Sequence, residues 1–508
     1  MGGPERTSGW WLGLPLVLAA LLWVGFNTWL GLDPDDAENL ETTRVLAAAR
    51  SWTEGPQTLY GPYSASNPAV LIQAPLFYRL TSVVAFPWIL MNFDAFSSCL
   101  VAGRLISFVS FGVVLMLTYH LARIAGAPWA AGAWAACLVA GSPLLGSFSV
   151  AMRPDMLAIA WQTGGLLLVA RVLFGPSRWD RHRLVEAFLL FGLAFVTKQH
   201  LIIGPIVAAL GLLGRRRDLL RPAPIVVALG LTTFLVLVYL GCEQAITHGA
   251  MGRSVFVLPG ELKHVTTGSW SYVGVVFLET AKRGLGLLVL ALALFVASRE
   301  AAMLTAYERW LLLAIGLELA LMVQLCRNSS GGWFNYALPA LVAGSVVLGR
   351  RLAGSFAATP SRRLGLVFGA ALLLVAVDVR LVVKGAQQRR AVHLEQAELT
   401  ADTRVSAVPC DERYFAGTYQ HYNRLFGCVG LTHDEWLYKA FEAINAAEPR
   451  ERWLRRALTD GPIRLVLVER ERGPRVAGVS ESLPDLGYED AGDLGPFTLW
   501  RRREAARD

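Results

Sequence analysis

Long apolar runs, separated by short segments rich in arginine, extend over the first three quarters of the chain. The first run, 10–32, has 23 residues without a charge. It is long enough to cross a bilayer and longer than the apolar core of a cleaved signal peptide. Further apolar runs follow at 105–122, 129–152, 156–170, 187–197, 199–214, 222–242, 284–298, 310–326, 333–349 and 364–377. The pattern predicts an α-helical polytopic membrane protein.

The apolar segment 75–92 decides the orientation of every later span. If the N-terminus is cytoplasmic and 75–92 lies along the outer surface, 15 basic residues of the later loops face inward and five face outward. If 75–92 crosses the bilayer, this distribution inverts. Because cytoplasmic loops carry the excess of Arg and Lys, the first arrangement is favoured. We therefore predict a helix at the outer surface over 75–92.

The stretch 185–214 is predicted to be two short helices rather than one long one. A single helix would put the Arg-rich loops on either side of it on opposite faces of the membrane. Two segments that meet at Lys198-Gln199-His200 keep both loops inside. This brings the prediction to about 11 transmembrane helices, with a first outward loop of about 33–104 and a C-terminal tail that also faces outward.

Composition divides the chain into a membrane domain, 1–384, and a tail, 385–508. Only 17% of all residues are charged, against about 25% in soluble proteins, yet the tail holds 20 of the 39 acidic residues. Strand patterns at 404–409, 463–468 and 497–501 and an amphipathic helix at 449–458 predict a small α/β extracytoplasmic domain. Its Cys410 and Cys428 could pair if it faces an oxidising compartment.

The formal charge of +8 does not indicate nucleic-acid binding. Of the 47 basic residues 42 are Arg, and many of them lie in the short loops between apolar runs. Such loops are what membrane insertion requires of a multi-pass protein. We therefore expect membrane lipids, and no nucleic acid, among the partners.

Four acidic residues lie where the chain leaves the first span: Asp33, Asp35, Asp36 and Glu38. They could simply begin a helix, because Asp33 can cap it, Pro34 suits its first position and the helix dipole favours acids there. Position by itself does not separate this reading from a catalytic one.

An ordered set of motifs resembles the GT-C superfamily of polyprenyl-phosphate-dependent membrane glycosyltransferases, near the protein O-mannosyltransferase and lipid A aminoarabinose transferase-like group. The motifs, between residues 10 and 350, are Asp35-Asp36-Ala37-Glu38, Asn67-Pro68, Ala74-Pro75-Leu76-Phe77-Tyr78, Arg153-Pro154-Asp155, Thr197-Lys198-Gln199 and Asn335-Tyr336. Two features depart from the pattern: the second acid is Asp36 rather than Glu, and the Pro-Pro before the aromatic run is split.

The resemblance implies an inverting glycosyltransferase that moves a sugar from a polyprenyl phosphate to an envelope glycan, lipid or protein on the extracytoplasmic face. Such a reaction needs a carboxylate that takes the acceptor's proton. It also needs cations for the phosphate that leaves. Asp35 is the candidate base, with Asp36 and Glu38 as alternates; on a helix Asp35 and Glu38 share a face.

Candidate donor-binding residues lie at the outer ends of the predicted spans. Lys198 interrupts two apolar segments, and an ionisable group at membrane depth indicates function, although the side chain could instead reach the interface. Arg153 and Asp155 fit either a phosphate or sugar site or a helix anchor equally well. Arg327 opens a polar loop that could cradle phosphate or simply turn. Gln199, Asn335 and Tyr336 complete the set through the resemblance.

Two other kinds of protein remain as alternatives: a polytopic transporter and a non-catalytic scaffold for envelope assembly. An odd number of spans and no detectable repeat between halves argue against transport. No nucleotide-binding motif and no His or Cys cluster is present, so a nucleotide-sugar donor is not supported. The resemblance implies that catalysis requires no metal, and no cofactor is expected. The expected location is the plasma (inner) membrane, with the N-terminus in the cytoplasm.

Overall fold

The structure is a computed structural model of the 508-residue chain. The residues it describes are 17, 18, 20–22, 24–26, 39–60, 71–175, 180–215, 222–257, 269–283, 304–328, 334–358, 376, 379, 380, 382–384, 386, 387, 390, 401–408, 413–416, 431–432, 458–459, 463–469, 481–494 and 497–503. All structural statements below concern these residues.

Helices make up almost all of the described part of the chain before residue 360. They are α1 (Asn39–Thr53), α2 (Leu76–Leu90), α3 (Ala95–Ala122), α4 (Trp129–Ala140), α5 (Pro143–Ser149), α6 (Asp155–Phe174), α7 (Asp180–Thr197), α8 (Ile203–Arg215), α9 (Pro222–Ile246), α10 (Trp270–Arg283), α11 (Ala306–Asn328) and α12 (Leu338–Ala358). Short 3₁₀ turns lie at Pro56–Tyr60, Ile124–Gly126 and Phe334–Ala337.

Five described helices are long and apolar enough to cross a membrane: α3, α6, α9, α11 and α12. The pair α4 and α5 makes a sixth if it is one broken span. The prediction of a multi-pass membrane protein is confirmed. The number 11 stays a prediction, because the apolar run 284–298, nearly all of 364–377 and most of 10–32 lie outside the described residues.

The apolar run 129–152 is not the single straight span that its composition suggests. Helices α4 and α5 meet at an angle of 71°, across Gly141 and Ser142. Pro143 cannot continue α4, since its nitrogen carries no hydrogen to donate. It suits the first turn of α5, where Ser142 accepts a hydrogen bond from the backbone N–H of Leu145.

The predicted break at Lys198 is confirmed. Helix α7 ends at Thr197, and α8 begins at Ile203. Pro205 explains why the helix does not run through, because its ring removes one helical hydrogen bond and clashes with the preceding turn. Non-helical backbone at membrane depth is tolerated only where protein or a water-filled cavity surrounds it. Lys198 and Leu201 are indeed buried.

Helix α2 has 15 residues, or about 22 Å, and is shorter than the roughly 30 Å hydrocarbon core. This length agrees with the predicted surface helix over 75–92. Val83, Phe86 and Leu90 of this helix are exposed, while Phe77 and Tyr78 are fully buried. Tyr78 and Phe77 belong to a core that also includes Val45 of α1 and Met152 before α6.

The tail contains a five-stranded mixed sheet of order β2-β1-β3-β5-β4. Its strands are β1 (Arg413–Ala416), β2 (Leu431–Thr432), β3 (Leu465–Glu469), β4 (Tyr488–Leu494) and β5 (Phe497–Arg502). Strand β1 pairs in parallel with β2 and β3, whereas β5 pairs antiparallel with β3 and β4. Buried Leu465, Leu467 and Leu499 form the core beneath it. A small sheet is therefore present in the tail, with strands at Leu465–Glu469 and Phe497–Arg502 where strands were predicted at 463–468 and 497–501. The α/β extracytoplasmic domain as a whole stays a prediction.

The strand predicted at 404–409 is wrong. Residues Thr403–Ser406 form one helical turn, which Asp402 caps by accepting a hydrogen bond from the backbone N–H of Arg404. The local cap outweighs the short alternation of apolar residues from which the strand was predicted. Cys410, Cys428 and most of 449–458 lie outside the described residues.

Replacing Gly349 by alanine tests a close contact between the backbones of α4 and α12. A methyl group there would lie 2.5 Å from the backbone nitrogen of Ala135 in α4. We expect G349A to destabilise the protein by about 1–3 kcal/mol, because α4 and α12 must move apart. G344A on the same helix meets no atom within 4 Å and is the matched control. A lower thermal unfolding midpoint for G349A only is expected; equal midpoints would contradict the packing.

Candidate functional site

The site is built on a buried ion pair between Asp155 and Lys198. The Lys198 ammonium donates a hydrogen bond to Asp155 Oδ1, and both side chains are almost fully buried. Asp155 begins α6, where the helix dipole favours a carboxylate, and Lys198 follows the last residue of α7, where the dipole favours a cation. Two helix ends thus support opposite charges that the interior would otherwise disfavour.

Asn335 and Tyr336 approach the same ion pair from the turn before α12. Asn335 Nδ2 donates to Asp155 Oδ1 at 3.1 Å. The Lys198 ammonium lies 5.2 Å from the centre of the Tyr336 ring, which also contacts the ring of His200 edge to face. The side-chain amide oxygen of Asn335, Oδ1, is buried without a hydrogen-bond partner among the described residues. Three predicted segments therefore meet at one place.

Two arginines add positive charge to this place. The charges of Arg153 and Arg44 both act on the Asp155 carboxylate. The Arg153 guanidinium lies 4.9 Å from the centre of the Phe148 ring. The backbone carbonyl oxygen of Arg153 accepts a hydrogen bond from the Ser107 hydroxyl. Arg44 comes from α1 and is buried. We call Arg44, Arg153, Asp155 and Lys198 the charge cluster.

Gln199 connects the segment 72–74 to the turn that carries Lys198. Its amide nitrogen donates to the carbonyl oxygen of Ile72 at 2.8 Å, and its amide oxygen accepts from the backbone N–H of Ala74 at 3.3 Å. The two bonds satisfy backbone groups that no regular element would pair. Gln199 thus binds the backbone of residues 72 and 74, and its predicted role in donor binding stays a prediction.

Gln73 lies between Ile72 and Ala74 and connects the segment 72–74 with α1 and α2. Its side-chain oxygen accepts hydrogen bonds from the Tyr78 hydroxyl at 2.6 Å and from Arg44 Nε at 3.4 Å. The Tyr60 hydroxyl donates to its backbone oxygen at 2.7 Å. Burial raises the pKa of Tyr78 far above its ordinary value, so it remains a neutral donor at physiological pH.

A second buried ion pair lies next to the charge cluster, between Glu41 of α1 and Arg104 of α3. Arg104 Nε and Nη2 donate to the two oxygens of Glu41 at 3.0 and 3.1 Å. Glu41 Oε1 also accepts the backbone N–H of Met152 at 2.5 Å. The carboxylate therefore connects α1, α3 and the segment that precedes Arg153.

The remaining predicted residues are placed differently. Asp35, Asp36 and Glu38 lie outside the described residues, and the first described residue after them, Asn39, begins α1. Arg327 is exposed near the end of α11, with its guanidinium 5.2 Å from the centre of the Trp270 ring. Its donor-binding role stays a prediction.

Sequence reasoning missed Glu41, Arg44, Gln73 and Arg104. Charged residues on an amphipathic helix such as α1 usually face water, and only the fold shows that Glu41 and Arg44 face inward. The one available signal for Arg104 was its position inside an apolar stretch, since charges there are costly. Among the described residues, no group of three His, Cys, Asp or Glu side chains is arranged to hold a metal ion.

Two solved structures resemble this chain over nearly its whole length. ArnT from Cupriavidus metallidurans, bound to undecaprenyl phosphate, is 13% identical with a TM-score of 0.60; the match covers 96% of this chain and 97% of ArnT. The oligosaccharyltransferase AglB from Archaeoglobus fulgidus, in complex with an inhibitory peptide and a dolichol-phosphate, is 13% identical with a TM-score of 0.54. That match covers 97% of this chain and 74% of AglB.

The likeness is one of fold. ArnT and AglB both have the GT-C architecture, so the GT-C-like fold predicted from the sequence motifs is confirmed. No protein-family model matches the sequence, and no curated protein matches it at a significant level.

Breaking the Asp155–Lys198 pair from one side should destabilise the fold more than removing both charges. D155N leaves the Lys198 cation buried without its carboxylate, and we expect a loss of about 3–5 kcal/mol. D155N/K198M removes both charges and should recover part of that loss. Thermal unfolding in detergent at one scan rate measures both. If the double variant unfolds at the same temperature as D155N or lower, the pair does not interact as described.

Proposed function

We propose that this protein is an inverting glycosyltransferase that moves a sugar from a polyprenyl-phosphate donor to an acceptor on the extracytoplasmic face of the plasma (inner) membrane. The acceptor is a glycan, lipid or protein of the cell envelope. The membrane domain, 1–384, carries out the reaction, and the tail, 385–508, faces the same side.

The buried Lys198–Asp155 pair, with Asn335 and Tyr336 against it, is the observation that carries this proposal. Buried Arg44 and half-buried Arg153 are close enough to interact electrostatically with Asp155. Guanidinium and ammonium groups are the side chains that bind phosphate, the first by paired hydrogen bonds and the second as a compact charge. A phosphate that leaves a sugar gains negative charge in the transition state, and cations already in place stabilise it. Tyr336 and Asn335 adjoin the same site and can orient the donor.

The fold supplies independent support. ArnT, whose structure is known with undecaprenyl phosphate, matches this chain from end to end, and AglB is known with a dolichol-phosphate. Both lipids carry a phosphate on a polyprenyl chain. Lys198 lies at a break between two apolar helices, which is where a phosphate at the end of such a chain can meet protein charge.

Proton removal from the acceptor is assigned to Asp35, with Asp36 and Glu38 as alternates. An acceptor hydroxyl or amine loses a proton as its bond to the sugar forms, and a carboxylate within hydrogen-bond reach takes it. The sugar–phosphate bond breaks, and the electron pair of that bond leaves with the phosphate. The carbohydrate then carries the opposite configuration, because acceptor and phosphate lie on opposite sides of the sugar. Asp155 orients the cations, and Arg327 stays a candidate ligand for the phosphate or sugar.

Replacing Asp35 by asparagine should abolish sugar transfer while the protein stays folded. The asparagine side chain keeps the shape of the carboxylate but cannot accept the proton, so we expect turnover to fall by about 100-fold or more. Transfer of a radiolabelled sugar from polyprenyl phosphate to membrane acceptors measures it, with the unfolding midpoint as the check on folding.

Equivalent changes at Asp36 and Glu38 establish which of the three acids is the base. Full activity in D35N and D36N would refute the catalytic assignment. Solute uptake into vesicles that persists without any lipid-linked sugar would identify a transporter instead.

Replacing Lys198 by glutamine should weaken polyprenyl-phosphate binding by about tenfold, because a charge-assisted contact to phosphate is lost. The rise in unfolding temperature caused by undecaprenyl phosphate measures this binding. R215Q removes a cation at the far end of α8, where Arg215 lies over the Phe174 ring, and is the control. Equal loss of stabilisation in both variants would mean that the lipid phosphate does not bind at Lys198.

A further inference from the structure

We infer that Glu41 and Arg104 are positioning residues that hold α1 in register with the segment carrying Arg153 and Asp155. This inference rests on the proposed function, since it concerns the alignment of the acceptor's base with the donor's phosphate. Neither residue contacts the substrate in this account. Both act through the groups on either side of them.

The contacts of Glu41 define a joint between three elements. Its carboxylate accepts two hydrogen bonds from Arg104 of α3 in a paired arrangement, at 3.0 and 3.1 Å. It also accepts the backbone N–H of Met152 at 2.5 Å. Paired guanidinium–carboxylate contacts fix orientation as well as distance, because both groups are planar. The backbone bond places Met152, and therefore the next residue, Arg153, relative to α1.

The joint is closely packed and buried. Glu41 is 2% exposed and Arg104 is 6% exposed. Gly103, beside Arg104, lets the Met152 side chain lie against α3, because a methyl group on Gly103 would be 2.3 Å from Met152 Cγ. Buried ion pairs of this kind contribute little net stability compared with apolar packing. Their geometric specificity is therefore the property that distinguishes them here.

The groups that the joint places belong to both halves of the proposed reaction. On α1, Arg44 lies three residues after Glu41 and so on the same helix face, and its charge acts on Asp155. The acidic residues lie just before Glu41 in the sequence: Glu38 precedes it by three residues and Asp35 by six. On the other side of the joint, Arg153 follows Met152 directly, and Asp155 begins α6.

A shift of α1 against Met152 would therefore change the distance between candidate base and candidate phosphate site. Misplacement by about 1 Å can cost roughly 100-fold in rate, since reacting atoms must be aligned within fractions of an ångström. Lys198 and Asp155 of the charge cluster are held by their own ion pair, which does not involve the joint. A shift of α1 moves Arg44 but leaves this pair in place, so the joint should affect kcat more than the KM for the lipid-linked donor.

E41Q is the variant that tests this, because it keeps the shape of the side chain and removes the charge that holds Arg104. We expect kcat to fall by at least tenfold and the donor's KM to change by less than about threefold. Hydrogen exchange should rise in 39–54 and 150–155.

E308Q is the matched control. Glu308 is 4% exposed and accepts hydrogen bonds from Arg351 at 2.8 Å and from the Thr305 backbone N–H at 2.9 Å. The neighbouring Arg350 binds Ala122 at the other end of α3, about 27 Å along the helix from Arg104. E308Q should lower thermal stability to a similar degree and leave kcat unchanged.

E41Q/R104Q separates a positioning role from a structural one. Removing both charges leaves no unpaired cation, so the unfolding midpoint should return towards that of the wild type. The paired geometry is still lost, so kcat should stay low. Wild-type kcat in E41Q, or recovery of kcat together with stability in E41Q/R104Q, would overturn the inference while the proposed function stands. If the wild type itself transfers no sugar, the proposed function fails and the inference fails with it.

Discussion

The buried contact between Asp155 and Lys198 is the interaction on which the rest of this structure depends. Each charge would be too costly at its depth without the other, and each lies at a helix end whose dipole favours it. Lys198 lies at the break between α7 and α8, and its side chain contacts the buried Asp155 carboxylate there. Asn335, from the turn before α12, then completes the site by donating to the same carboxylate. Elements distant in sequence are therefore fixed together by one charge pair.

Around this pair, polar side chains bind segments of irregular backbone that no helix or strand stabilises. Gln199 binds the backbone of 72–74, the Tyr78 and Tyr60 hydroxyls bind Gln73, and Glu41 binds the backbone of Met152. Each bond satisfies a group that lipid could not.

Much of this arrangement could be predicted from the sequence. Apolar runs gave the membrane class, loop charges suggested the surface helix, and the motifs around Asp155, Lys198 and Asn335 named segments that the structure brings together. Hydropathy could not reveal the bend before Pro143, since both halves are apolar. It also could not show that Glu41 faces inward, because burial of a charged residue on an amphipathic helix depends on partners far away in sequence. The short turn at Thr403–Ser406 was decided by a local cap.

In the proposed reaction the charge cluster receives the phosphate of a polyprenyl-linked sugar. A cryo-electron microscopy structure of the full chain with undecaprenyl phosphate would show where that phosphate binds. We expect phosphate density within hydrogen-bond distance of the Lys198 ammonium and of Arg44 or Arg153. Phosphate density bound elsewhere, with Lys198 still enclosed by Asp155 and Tyr336, would contradict it.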